Sequence, residues 1–146
     1  MKSLLIISTI SLSILLLSRC THPSAENGKD FDQNMIDMMM YHDNLGLYLR
    51  KGNADYASWL LEGMDSSLQV VAKQFPEHRK LEYPFQKSYD KLLQPPINKI
   101  REALKQNNIP VAIDQYRLLT KKCNKCHIDL EIDEDVVDRT RSGGEK

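Results

Sequence analysis

From Phe31 onward, apolar side chains recur at spacings of three and four, the period of a helix with one buried face. Phe31, Met35, Met38, Leu45 and Leu49, with His42 on the same stripe, predict a first helix over residues 31–51. Gly52-Asn53 ends it and caps the next. A second stripe of Ala57, Leu60, Leu61, Met64, Leu68, Val71 and Phe75 predicts a helix over 53–75 that Pro76 stops. A charged connection follows, with His78 beside Arg79 and Lys80, and reads as solvated. Phe85, Tyr89, Leu92, Leu93, Ile97, Ile100 and Leu104 predict a third helical region over 85–107. Pro95-Pro96 falls inside it, so a kink or a split into two short helices is expected there. Ile109, Ala112, Ile113, Tyr116, Leu119 and Cys123 predict a fourth helix over 109–128, with Pro110 in its first turn. Four amphipathic segments of roughly 20 residues with short connections predict an all-α fold, an antiparallel up-down-up-down four-helix bundle over residues 31–130.

The two ends of the chain read differently. Residues 1–19 have the form of an export signal: Met1-Lys2, then an apolar run from Leu4 to Leu17 that is short for a membrane span. Leu17-Ser18-Arg19-Cys20 looks like a bacterial lipoprotein box with Cys20 as the lipid-modified residue, although Arg19 stands where such boxes carry a small side chain. An uncleaved anchor helix is the competing reading, and either one places the remainder outside the cytoplasm, in a periplasmic or extracytoplasmic, membrane-anchored location. Residues 20–30 are polar and aperiodic, a flexible tether that includes His22. Residues 131–146 are rich in acids and end in Ser-Gly-Gly-Glu-Lys, an expected disordered tail in which Ile132, Val136 and Val137 form at most a short turn. Losing residues 1–19 removes Lys2 and Arg19 and no acid, leaving 18 basic against 20 acidic side chains. With no basic stripe interleaved with aromatics, nucleic acid is dropped as a partner.

The chemistry concentrates in Cys123-Asn124-Lys125-Cys126-His127, a C-x-x-C-H run at the end of the fourth helix, which reads as the attachment site of one covalent c-type haem. Two thiols reach the two vinyl groups of a porphyrin edge, and the adjacent imidazole serves as proximal ligand to the iron. Positions i, i+3 and i+4 share a helical face, and here that face continues the apolar stripe. A redox dithiol would want a βαβ context, and a zinc half-site would want a second ligand pair; neither pattern is present. The cysteine count closes: Cys20 for lipid, Cys123 and Cys126 for haem.

A bundle whose last helix ends in C-x-x-C-H resembles the cytochrome c′ type over about Phe31 to Leu130. Its first hairpin also resembles small exported cytochromes of this class, with His42 on helix one, a Gly52-Asn53 turn, and Tyr56 or Trp59 early in helix two. The resemblance implies a single haem between the helices, a helix-one residue facing the iron opposite His127, a redox partner protein, and homodimers paired through helices one and two. On this chain's own residues His42 is the candidate sixth ligand, against the plainer reading of a hydrogen-bonded pocket histidine. Met35, Met38 and Met39 compete as thioether ligands or fill the core. Lys121, Lys122 and Lys125 either guide an acidic partner or form the solvated face of the helix. Three functions follow: an exported cytochrome that transfers single electrons, a five-coordinate haem protein that senses or scavenges nitric oxide or carbon monoxide, and a structural lipoprotein domain without haem. No acid, base or nucleophile pairing stands near the motif, so no enzymatic chemistry is expected.

Overall fold

The computed structural model describes residues 31–75 and 84–141. The signal segment, Cys20, the tether with His22, the connection holding His78 and the last five residues lie outside the described residues. Those described are helical or irregular, without strands. Helix α1 spans Phe31–Arg50, α2 Ala54–Gln74, α3 Phe85–Ser88, α4 Gln94–Lys105 and α5 Ile109–Asp129, with a π-helical turn at Tyr89–Leu93 between α3 and α4. Helix α1 packs on α2 and α4 on α5, while α2 against α4 and α1 against α5 close a helical bundle.

The turns that end the helices share one device. Gly52, at φ +71°, lets its own amide reach the Leu49 carbonyl and the Asn53 amide reach that of Tyr48. Asn107, at φ +52°, does the same toward Leu104 and, through Asn108, toward Ala103. Each is a residue in the left-handed region closing a Schellman motif, which satisfies carbonyls that the helix end would otherwise leave bare. Asn53 and Asn108 then cap the next helix, accepting from the amides of Tyr56 and Val111. Closing one helix and opening the next within two residues brings consecutive helices side by side.

The break expected at Pro95-Pro96 takes the form of the π-helical turn. Both prolines lie in the first turn of α4 and donate nothing, and the Gln94 amide just before them bonds the Tyr89 carbonyl five residues back. The apolar stripe keeps facing inward across it: Phe85, Tyr89, Leu93, Ile97, Ile100 and Leu104 are all buried. They join Leu45, Leu49, Leu60, Leu61, Met64, Leu68, Val71, Ala112, Tyr116 and Leu119 in one core.

One buried charge pins the kinked region to α2. Asp65 accepts from the Tyr89 hydroxyl at 2.6 Å and from Arg101 Nη2 at 2.6 Å, and Arg101 Nε also bonds Glu62 at 2.6 Å. Burial first, then the Asp65 carboxylate, pushes the Tyr89 phenol up to about 12, so it stays a donor.

Residues 131–141 differ from the expected disordered tail. Glu131, at φ +55°, repeats the left-handed turn at the end of α5, with the Ile132 amide on the His127 carbonyl, and the chain runs back along α5 as a strap. Its charges do not solvate independently: Arg139 Nη2 lies 2.7 Å from Asp43, and Asp138 meets Arg117 and Arg141. Thr140 and Leu130 are buried. Asp138 and Arg139 thus spend their charges on α5 and α1.

Arg101→Met strands the Asp65 carboxylate beneath α4. Thermal denaturation is expected to show a loss of about 2 to 4 kcal/mol, partly restored by adding Asp65→Asn, because a buried amide is less costly than a buried carboxylate. A loss below about 0.5 kcal/mol would mark the pair as an ordinary surface ion pair.

Candidate functional site

The last two turns of α5 bring Cys123, Cys126 and His127 onto one side of the helix. Cys123 packs against the core, and burial, with Cys126 close by, pushes its thiol up to about 12. Burial also raises the Cys126 thiol; Asp129 adds to the shift and Lys125 opposes it. The two sulfurs form no disulfide.

His127 is partly exposed, and its Nδ1 lies 2.6 Å from the Glu134 carbonyl oxygen. A carbonyl only accepts, so the neutral ring carries its proton on Nδ1 and keeps the lone pair on Nε2. No hydrogen bond engages Nε2 among the described residues. This is the tautomer a metal-binding histidine needs, with its second nitrogen oriented by a backbone oxygen. Asn124, inside the motif, bonds both backbone groups of Val136: its Nδ2 donates to the carbonyl at 2.9 Å, and its Oδ1 accepts from the amide at 2.7 Å.

His42, on α1, meets α5 away from the motif. It is buried, its ring stacks on Tyr116 at 4.6 Å between centroids, and its Nε2 meets Thr120 Oγ1 at 2.9 Å. The Thr120 hydroxyl already donates to the Tyr116 carbonyl, so it accepts here and His42 carries its proton on Nε2. Nδ1 then faces the Tyr116 hydroxyl at 3.2 Å and Asp43 Oδ1 at 3.6 Å. Both ring nitrogens are engaged, by residues seven and eleven positions before His127 on α5, about two to three turns away. Gly46 makes the approach possible, since a Cβ there would stand 2.6 Å from Tyr116 Cζ and 2.9 Å from Arg139 Cβ. Met35 and Met38 pack at the core's edge; Met39 is exposed and lines a groove of about 530 Å³ beside Asp43, Val137 and Arg139, not beside the motif. Of the three lysines, Lys125 is paired with Asp129 at 2.8 Å.

A covalent haem asks the protein for two thiols on one helical face and an imidazole with Nε2 free; Cys123, Cys126 and His127 meet that demand. Among the described residues no group of three or more His, Cys, Asp or Glu is arranged to hold a bare metal ion, and no helix is long and apolar enough to cross a membrane. Periodicity finds the motif face and the inward position of His42. It misses Tyr116 as a hydrogen-bonding partner, Thr120, Gly46 and the strap. Only Asn124 lay within the motif, and nothing local announced its partner. Comparison of the chain with protein-family models, with curated proteins and with solved structures returns no match.

Two measurements probe this geometry. In the haem-free protein at neutral pH, iodoacetamide is expected to modify the less buried Cys126 faster than Cys123, read by peptide mass spectrometry; equal rates would contradict the burial of Cys123. Burial raises the Asp43 carboxyl, but the neighbouring His42 ring and the Arg139 guanidinium outweigh it and leave it below its ordinary value. Asp138 is likewise raised by burial but lowered further by Thr140, Arg117 and Arg141. Acids depressed in the folded state stabilise it above their ordinary value and lose that contribution as pH falls through the folded value. Below about pH 4, therefore, the Thr140 amide is expected to lose protection from hydrogen exchange before the helical circular dichroism changes.

Proposed function

We propose that this chain is an exported monohaem c-type cytochrome of the four-helix bundle class that transfers single electrons. Cys123 and Cys126 hold the haem as thioethers, and His127 ligates its iron through Nε2. The observation that carries the reading is the His127 ring: its Nδ1–H is tied to the Glu134 carbonyl, and it stands next to one unpaired thiol, Cys126, and about one turn from the other, Cys123. When bound, the haem supplies a one-electron iron couple. The chain supplies the axial imidazole, the orientation of that imidazole, and an apolar wall around Leu119 and the Cys123 side of α5 that keeps water from the covalent edge. Lys121 and Lys122 offer positive charge beside the motif to an acidic redox partner.

The antiparallel up-down-up-down arrangement belongs to the same reading. The tight turns at Gly52 and Asn107 support it, as does Phe31 at the start of α1 against Phe75 just past the end of α2, at 5.6 Å. Export and a lipid anchor on Cys20 rest on the Leu4–Leu17 run and the box that follows.

The sixth position divides two readings. His42 as ligand gives an electron carrier with both axial sites filled, and it requires His42 to leave Thr120. A specific observation favours the alternative of an open site that binds nitric oxide or carbon monoxide: both His42 nitrogens are already hydrogen-bonded within the protein.

The test is the ferric and ferrous absorption spectrum after co-expression with haem-attachment machinery. A covalently held Soret band that is lost from the denatured protein in Cys123→Ser/Cys126→Ser is expected; no Soret band in the wild type would sink both haem readings and leave the structural lipoprotein. A low-spin wild type that turns high-spin in His42→Ala assigns His42 to the iron. A wild type already high-spin, with rapid carbon monoxide binding when reduced, assigns an open site.

A further inference from the structure

We propose that Asn124, one of the two variable residues inside C-x-x-C-H, is a positioning residue for the His127 ring, acting by clamping the strap 131–141 against α5. The proposal deepens the haem reading and, as a role toward iron, rests on it. Asn124 engages both backbone groups of Val136, pairing with that residue as a neighbouring strand would. Two residues earlier in the strap, the Glu134 carbonyl meets His127 Nδ1. The clamp and the carbonyl it sets are thus about one helical turn apart on α5 and one extended residue pair apart on the strap, so fixing Val136 fixes where the Glu134 oxygen can lie.

The other anchors of the strap are more remote. Arg117 Nε reaches the Thr140 hydroxyl at 3.1 Å and Arg139 reaches across to Asp43 on α1, while the Tyr116 hydroxyl, its proton directed to His42 Nδ1, lies 3.4 Å from the Val137 carbonyl. On α5 these contacts lie ten or more residues before His127, whereas Asn124 lies three before it. They hold the far half of the strap, and Asn124 holds the half that touches the ligand.

The angular order on α5 gives the clamp a direction. At about 100° per residue, Asn124 falls roughly 60° to one side of His127, while Cys123 and Cys126 fall roughly 40° and 100° to the other. The strap therefore grips the ring from the flank away from the thiols. An unrestrained imidazole places its proton on either nitrogen; a carbonyl held at Nδ1 selects the tautomer whose Nε2 is free to ligate, and raises its basicity as a ligand. Asn124 would then set both the aim and the donor strength of His127 without touching the iron.

The experiment uses the full chain, haem-free and haem-loaded, as wild type, Asn124→Ala and Asn124→Asp. In the haem-free chain, above the titration of imidazole, ¹⁵N spectra of the His127 ring are expected to show the Nδ1–H tautomer dominant in wild type and mixed in Asn124→Ala. The Val136 amide is expected to exchange roughly tenfold faster in the mutant. Asn124→Asp keeps an acceptor for that amide but loses the donor, and falls between. Far-ultraviolet circular dichroism checks that each variant keeps its helices; if Asn124→Ala does not fold, Asn124→Asp carries the same comparison. In the haem-loaded chain the clamp predicts a higher reduction potential and a lower iron–imidazole stretching frequency in Asn124→Ala. Ring nitrogens unchanged in the mutant overturn the proposal, whether or not Val136 exchanges faster. A wild type without a Soret band overturns the haem reading instead, and the haem-free ring nitrogens still decide whether Asn124 positions His127.

Discussion

The contact that closes the bundle is α1 against α5 around Tyr116, and the rest of the arrangement depends on it. The pairs α1 with α2 and α4 with α5 are chain neighbours that tight turns bring together. Nothing local brings α1 to α5. Three things make that contact: Gly46 removes a side chain where Tyr116 arrives, His42 stacks on the same ring, and Thr120 accepts the hydrogen bond from His42 Nε2–H. A buried imidazole without partners is costly, so only one register between the two helices satisfies both of its nitrogens. The same ring floor then receives the strap, whose Val137 carbonyl faces the Tyr116 hydroxyl and whose Arg139 reaches Asp43 beside His42.

Seen from that contact, the two histidines have opposite fates. His42 lies in the closure and spends both nitrogens there. His127 lies near the C-terminal end of α5 and spends one nitrogen on the strap, while no hydrogen bond among the described residues engages the other. In a protein that binds a metal through imidazole, the histidine with one oriented and one unoccupied nitrogen is the prepared ligand. The strap touches both places, holding to Asp43 beside His42 through Arg139 and to His127 through the Glu134 carbonyl.

Much of the fold is legible in the chain because its cause is local. The four stripes repeat at the helical period, Gly52 and the asparagines at 53, 107 and 108 are turn and capping residues, and Pro95-Pro96 cannot continue a helix without a break. The strap is illegible for the converse reason. Residues 133–138 are mostly acidic, a composition that ordinarily stays solvated, and the partners that hold residues 131–141 lie far away in sequence: Asp43 is 96 residues from Arg139, and Asn124 is 12 from Val136. A charge run carries no sign of where distant residues will hold its backbone. His42 shows both sides at once, since its inward position follows from spacing, whereas its occupation follows from Thr120 and Tyr116, which spacing alone marks only as parts of another helix.

The sequence by itself determined which segments are helical, where they end, and that two thiols and an imidazole share the last turns of α5, because each of these follows from spacings of a few residues. Only the tertiary structure decided which nitrogen of each histidine carries the proton, that residues 131–141 lie along α5, and that Gly46 is where the bundle closes. Those outcomes depend on hydrogen bonds, charge pairs and close approaches between residues far apart in the chain, and such partners meet only once the helices have packed.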